Sequence, residues 1–350
     1  MDTRSARGPT QAPSGYRRRW GTLALLLAAL ACLAGLAMAE LKTSPFGQVA
    51  PRSQATSPTG TVTPGARTAA PRQEQLAAVS WPADGVSTAN ISGFGVVAGP
   101  GATRPVPIAS VAKVMTAYVI LHDHPLPGGG SGPVIVVQSS EAAAYPSQVR
   151  DGDSLVPVVA GEMLTERQAL EALLLPSADN VAWILARWDA GSQAAFVARM
   201  NATARRLGMT GTSYTDPSGL DPSTTSTAAD QVRLGMAAMR VPVLATIAAM
   251  STAVVPVAGL VRNYNTLLGQ DGIAGLKTGS TQAAGGCVLI AAWHHASGHR
   301  TLIVAAVLGQ PGTAQTILPN ALRVGHNLVL ALDRALGPGA RRQKDLPTHG

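Results

Sequence analysis

Ser110 and Lys113 stand one helical turn apart in the segment Ile-Ala-Ser-Val-Ala-Lys-Val-Met-Thr. At i and i+3 a hydroxyl and an amine share one helix face and can touch. A serine hydroxyl is a weak nucleophile until a base takes its proton. Lysine can be that base because, unlike arginine, it can give up its charge. A helix N-terminus beside the serine offers N–H groups to a developing oxyanion. Ser-x-x-Lys alone is a common accident, but the composition sharpens it. The chain has 23 arginines and only four lysines, and Lys42 and Lys344 lie in the terminal tails. Between residues 79 and 340 there are 13 arginines and two lysines, so lysine persists at two places where an amine able to lose its proton would matter. The second is Lys277, in Lys277-Thr278-Gly279-Ser280. On an exposed strand edge Lys277 and Thr278 can grip a carboxylate. Gly279 lets a substrate backbone lie close, and the N–H of Ser280 can supply half of an oxyanion hole. The third element is Ser177-Ala178-Asp179-Asn180, a polar loop between two helix patterns.

Several elements must hold these groups. Ser110 to Leu121 is an almost wholly apolar helix pattern that stops at Pro125-Leu126-Pro127. Thr165 with Gln168 forms a capping box opening a helix to Leu175. Val181 to Trp188 and Gln193 to Leu207 read as two more helices, with Trp183 and Trp188 in the core. Lys277 lies in a strand after Ile273-Ala-Gly-Leu. Cys287 to Trp293 and Thr301 to Leu308 are apolar strands, and His-Ala-Ser-Gly-His between them reads as a hairpin loop. A last helix covers Ala321 to Leu336. Helices in the middle and strands at both ends give an α+β class in which the terminal segments share one antiparallel sheet.

The net charge of +8 invites a nucleic-acid reading, but residues 79–340 carry 15 basic and 15 acidic groups. A phosphate-binding groove would not be neutral overall, so no nucleic-acid partner is expected. The excess sits in a basic tail (1–20) and in two polar segments. Residues 21–39 are uncharged, and as a helix they would span about 28 Å. After Arg17-Arg18-Arg19 they read as a signal peptide or signal anchor that exports the rest of the chain. Residues 40–78 are rich in Pro, Ser and Thr and read as a disordered linker. Residues 79–336 form the folded domain, and 337–350 are a polar tail. Cys32 lies in the apolar run and Cys287 alone in the domain, so no disulfide is expected, and Cys287 reads as a small buried hydrophobe. His122-Asp123-His124 closes a helix and is not read as a metal site. Asn263 and Asn265 are placed in the lining of the cleft.

Ser-x-x-Lys, a Ser/Asx loop and Lys-Thr-Gly, in that order, resemble the three motifs of the serine penicillin-recognising enzymes. The surrounding text is similar to the D-alanyl-D-alanine carboxypeptidases over residues 78–336. It includes Ala-Leu-Leu-Leu-Pro-Ser-Ala-Asp-Asn-Val-Ala, Leu-Gly-Met-Thr-Gly-Thr-Ser-Tyr-Thr-Asp-Pro-Ser-Gly-Leu-Asp and Gly-Leu-Lys-Thr-Gly-Ser-Thr-Gln-Ala-Ala-Gly-Gly-Cys. The resemblance implies a β-lactamase/transpeptidase-like fold, an antiparallel sheet packed with a helical region. It implies removal of the terminal D-alanine from peptidoglycan stem pentapeptides outside the cell membrane. Ser110 would attack, Lys113 would accept its proton, and the N–H groups of Ser110 and Ser280 would hold the oxyanion. Ser177 would relay a proton to the leaving amine. Lys277 and Thr278 would bind the substrate carboxylate. β-Lactams would acylate Ser110, and neither metal nor cofactor is required.

Two positions depart from the family pattern. Ala112 stands where threonine is usual. Asp179 stands where the middle motif has an asparagine, whose amide donates to the substrate's acyl group; an ionised carboxylate cannot do so. It also favours the ammonium form of Lys113. Either Asn180 rotates in, or Asp179 is held protonated, or the enzyme is slow. Two other readings are a catalytically impaired cell-wall-binding homologue, which Asp179 would suit, and a β-lactamase. The latter needs a carboxylate base for its deacylating water, and Glu162, Glu166 and Glu171 read as helix surface.

Overall fold

The computed structural model describes residues 74–296 and 298–337. The expected signal or anchor segment, most of the linker and the tail lie outside them. Among the described residues no helix is long and apolar enough to cross a membrane. Five strands form one antiparallel sheet: β1 (Val86–Ile91), β2 (Gly95–Ala98), β9 (Ile273–Thr281), β10 (Gly285–Ala296) and β11 (His299–Gln310), in the order β2-β1-β11-β10-β9. The N- and C-terminal strands thus share a sheet, as the sequence pattern implies. The β10–β11 hairpin is tighter than the polar segment suggested, with pairing out to Ala296↔His299.

The apolar runs of β10 and β11 reflect burial on both faces. Side chains alternate across a strand. Cys287, Leu289, Ala291, Val304 and Ala306 therefore join one core, and Val288, Ile290, Ala292, Ile303 and Ala305 join another. The second core is closed by the C-terminal helix, with Leu328, Val329 and Leu332 buried. Cys287 is fully buried, and burial pushes its thiol up to about 12.

The first core carries the helical region. A 3-10 turn (Ala109–Ala112) leads into α1 (Lys113–Asp123), followed by β4 (Val134–Val136), α2 (Ser139–Asp151), β5 (Met163–Thr165), α3 (Glu166–Leu174), α4 (Asp179–Ala190) and α5 (Gln193–Arg206). The predicted capping box is present in both directions: Gln168 N–H donates to Thr165 Oγ1 at 3.2 Å and the Thr165 N–H to Gln168 Oε1 at 3.0 Å. Ser192 caps α5 through the N–H of Ala195. After the short strands β3 (Val106–Pro107) and β6 (Thr225–Ser226), which pair with each other, come α6 (Ala228–Ala238), α7 (Pro242–Ala248) and the ribbon β7 (Thr252–Val255) with β8 (Gly259–Arg262). The C-terminal helix is α8 (Ile317–Ala335).

Several side chains are placed differently from the sequence reading. Glu166 is fully buried and Glu162 and Glu171 nearly so, rather than on helix surface. Trp183 and Trp188 are only half-buried; Trp188 packs against the core and lies on His124 with ring centroids 4.1 Å apart. Asn263 and Asn265 serve the backbone. Asn263 donates to Met250 O at 2.9 Å, and Asn265 Oδ1 accepts from the Leu267 N–H at 3.2 Å.

Candidate active site

The helix predicted from Ser110 begins instead at Lys113, and Ser110 sits in the 3-10 turn before it. The backbone there is strained. Ala109 has φ +47° and Ser177 has φ +65°, a region costly for residues with a Cβ. One residue therefore precedes the predicted nucleophile, and the other is itself a predicted catalytic serine.

Lys113 is fully buried beneath Ser110. Its Nζ donates to Ser110 Oγ at 2.7 Å, to Asp179 Oδ1 at 2.6 Å and to the carbonyl of Ser218 at 3.0 Å. The first contact is the i, i+3 pairing expected from the spacing. The third was not foreseen. Ser218 belongs to the turn Asp216–Leu220, which Asp216 organises. Its Oδ2 accepts from Ser218 Oγ at 2.6 Å and from the N–H groups of Gly219 at 2.8 Å and Leu220 at 3.0 Å. Gly219 has φ +81°, and a Cβ there would lie 1.9 Å from Ala109 O. The turn is thus fitted against the residue preceding Ser110. The signal available in sequence was the Asp-Pro-Ser-Gly-Leu run, but a carbonyl ligand has no side-chain signature.

The Lys277 strand meets the Ser110 turn directly. Pairing Lys277↔Leu289 and Gly279↔Cys287 puts Lys277 and Gly279 on the sheet face turned to the helical region. A Cβ on Gly279 would lie 2.8 Å from Ser110 N and 3.0 Å from Val111 N. Glycine at 279 therefore brings β9 onto the Ser110 amide. Lys277 is buried, and its Nζ donates to Thr278 O at 2.8 Å. Burial, reinforced by the charge of Lys113 and opposed by Asp179, holds its amine well below the usual lysine range. Thr278 is buried and Ser280 is exposed at the end of the strand.

Ser177, in the turn between α3 and α4, and Asp179, the first residue of α4, are both buried. Both Asp179 oxygens accept hydrogen bonds, Oδ1 from Lys113 and Oδ2 from the Ser154 N–H at 3.0 Å. Asn180, the next residue, does not join this cluster. Its amide is taken up by Val156, donating to Val156 O at 2.8 Å and accepting from the Val156 N–H at 3.3 Å. Beside Asn180 a cavity of about 850 Å³ opens, lined by Gln148, Trp183, Arg187, Gln193 and Leu220. The three glutamates ahead of the Ser177 turn have other surroundings. Glu166 lies under Gly132 and Leu126, Glu171 pairs with Arg167 at 2.9 Å, and Glu162 accepts from the Val159 N–H at 3.2 Å.

A buried amine in contact with a serine hydroxyl, with a glycine-bearing strand on the same serine's amide, is an arrangement suited to acyl transfer. The sequence profile of the D-alanyl-D-alanine carboxypeptidase family matches residues 90–312. D-alanyl-D-alanine carboxypeptidase DacB2 of Mycobacterium tuberculosis is 36% identical over 235 residues, covering 65% of this chain and 75% of that protein. The D-alanyl-D-alanine endopeptidase of Pseudomonas aeruginosa is 35% identical over 193 residues, covering 53% of this chain and 59% of that protein. The chain thus spans less than two thirds of the endopeptidase's length. Among solved structures, a D-alanyl-D-alanine carboxypeptidase from M. tuberculosis H37Rv superposes with a TM-score of 0.62 at 33% identity, covering 74% of this chain and 95% of that one. The Streptomyces K15 DD-transpeptidase shares the fold, with a TM-score of 0.62 at 24% identity, covering 73% of this chain and 99% of that one. With the family profile spanning residues 90–312, most of the domain, the chain belongs to the D-alanyl-D-alanine carboxypeptidase family of serine peptidases.

Proposed function

We propose that this protein is a D,D-carboxypeptidase that removes the terminal D-alanine from peptidoglycan stem pentapeptides through an ester on Ser110. The observation that carries the reading is the 2.7 Å contact of Lys113 Nζ with Ser110 Oγ beneath the Gly279 strand. Deprotonated, Lys113 takes the Ser110 proton as Oγ adds to the carbonyl carbon of the penultimate D-alanine. The N–H groups of Ser110 and Ser280 receive the oxyanion. As the peptide C–N bond breaks, the departing amine gains a proton by way of Ser177. Water then adds to the ester, and the shortened peptide leaves with Ser110 restored. Lys277 and Thr278 receive the substrate's terminal carboxylate. A carboxylate arriving beside a buried amine favours its charged form. β-Lactams enter the same route and leave a slowly hydrolysed ester on Ser110.

The uncharged run at 21–39 behind three arginines supports export, with the domain held at the outer face of the membrane or released into the cell wall. The test uses the soluble domain with fluorescent penicillin and with a D-Ala-D-Ala-terminated peptide. A carboxypeptidase labels stably and releases D-alanine. Rapid turnover of the drug would make it a β-lactamase, and neither event would make it a cell-wall-binding homologue. Two of its relatives are endopeptidases, so a cross-linked peptide belongs in the same assay.

A further inference from the structure

The two oxygens of Asp179 have different partners: Lys113 Nζ on Oδ1 and the Ser154 N–H on Oδ2. The backbone returns the second contact, the Asp179 N–H donating to Ser154 O at 2.7 Å. Asn180 and Val156 repeat the exchange beside it. Residues 153–156 are therefore a strap tied to the first turn of α4 by four hydrogen bonds. An amide at 179 cannot reproduce this. Whichever way it turns, its NH2 group meets either the Lys113 ammonium or the Ser154 N–H, donor against donor. Lys113 for its part has three acceptors within 3.0 Å, matching the three donors of an ammonium ion. In that state it donates to Ser110 and cannot take its proton. Two more titratable groups bear on this amine. Lys277, from β9, opposes the positive charge. Asp153, half-buried on the strap, favours it.

We propose that Asp179 is a positioning residue that keeps Lys113 an ammonium ion in the resting site and fastens residues 153–156 beside it. Ser110 becomes nucleophilic only as the Lys113–Asp179 pair loses its proton, and acylation rises with pH. This rests on the reading of Ser110 as nucleophile, so labelling is measured first. A wild-type protein that labels at no pH sinks that reading and this one together.

The test is the rate of Ser110 acylation by fluorescent penicillin from about pH 6 to about pH 10, with amide hydrogen exchange of the strap. In Asp179→Asn the midpoint of the acid limb moves down by about one pH unit or more, so the rate at about pH 6, relative to its plateau, rises at least about tenfold. Below that midpoint, while Lys113 is charged, protection of the Ser154 amide is lost. Asn180→Ala frees only the Val156 end, and it leaves the midpoint where it is in the wild type. Asp179→Ser removes the charge without placing a donor against Ser154, and shifts the midpoint like Asp179→Asn if that variant folds poorly. An unmoved midpoint in the uncharged variants overturns the proposal. So does an equal shift in Asn180→Ala, because the strap rather than the charge would then set the profile.

Discussion

Glu166 opens α3 with a fully buried side chain, and neither carboxyl oxygen has a hydrogen-bond partner. A Cβ on Gly132 would come within 2.6 Å of its Oε2, so the loop before β4 closes directly over the acid. Arg167, the adjacent cation, turns away to Glu171 at 2.9 Å and to Gly129 O at 2.8 Å. Burial alone pushes the Glu166 carboxyl from 4.5 to about 7. As pH rises from about 4.5 to about 7 the unfolded chain releases this proton while the folded chain retains it. The unfolded state then binds fewer protons, and stability falls with pH. Below that window both states hold the proton; above it both have lost it, and the loss is complete. The difference between the two values corresponds to about 3 kcal/mol as a ceiling, reduced by any relaxation of the loop. Glu166→Gln keeps the shape and cannot ionise. Urea unfolding at about pH 4 and about pH 8 compares the two proteins. Between those pH values the wild type should lose about 1–3 kcal/mol relative to the variant. The constant cost of burying an unpaired amide cancels in that difference. Parallel stability curves across the pH range would refute the reasoning, because they would mean that Glu166 is already charged and solvated in the folded state.

Three further outcomes are expected. Gly279→Ala places a methyl 2.8 Å from Ser110 N and lowers penicillin acylation about 100-fold with the fold retained; labelling at the wild-type rate contradicts the packing of β9 on Ser110. Gly219→Ala must fit a methyl 1.9 Å from Ala109 O at φ +81° and costs about 2–4 kcal/mol, read by thermal unfolding; an unchanged transition would show the turn to be free of Ala109. Binding of a D-alanine-terminated peptide to the Ser110→Ala variant takes up a fraction of a proton as Lys277 regains its charge, seen as a dependence of the calorimetric enthalpy on buffer ionisation heat. No dependence on buffer would mean that Lys277 is already an ammonium ion.

How much of the site was legible in the sequence depends on where each interaction is written. Ser110 and Lys113 were found because the pairing is local, and Lys277 because lysine is rare in this domain. The Thr165–Gln168 box and the β10–β11 hairpin are likewise short-range patterns. The helix α2 was missed: its apolar residues are mostly alanine, Pro146 lies inside it, and none of its residues is buried. Glu166 and Glu171 were misplaced because their spacing in α3 suits a helix surface, and only the loop ahead of β4 and the α3 packing bury them. The partner of Asn180 was not foreseen for the same reason. Its partner Val156 is 24 residues away and contributes only backbone atoms, as do Ser154 to Asp179 and Ser218 to Lys113. Side-chain types announce chemistry, but backbone ligands brought in by distant turns leave no mark in composition or period.

The central claim is that Lys113 makes the Ser110 hydroxyl the nucleophile for a D-Ala-D-Ala-terminated substrate. Peptide mapping by mass spectrometry after incubation with penicillin tests it most directly, with D-alanine release from a matching peptide measured on the same sample. A single adduct on Ser110, absent from Ser110→Ala together with the released D-alanine, is the predicted result. An adduct on another residue, or release of D-alanine that survives Ser110→Ala, would contradict it.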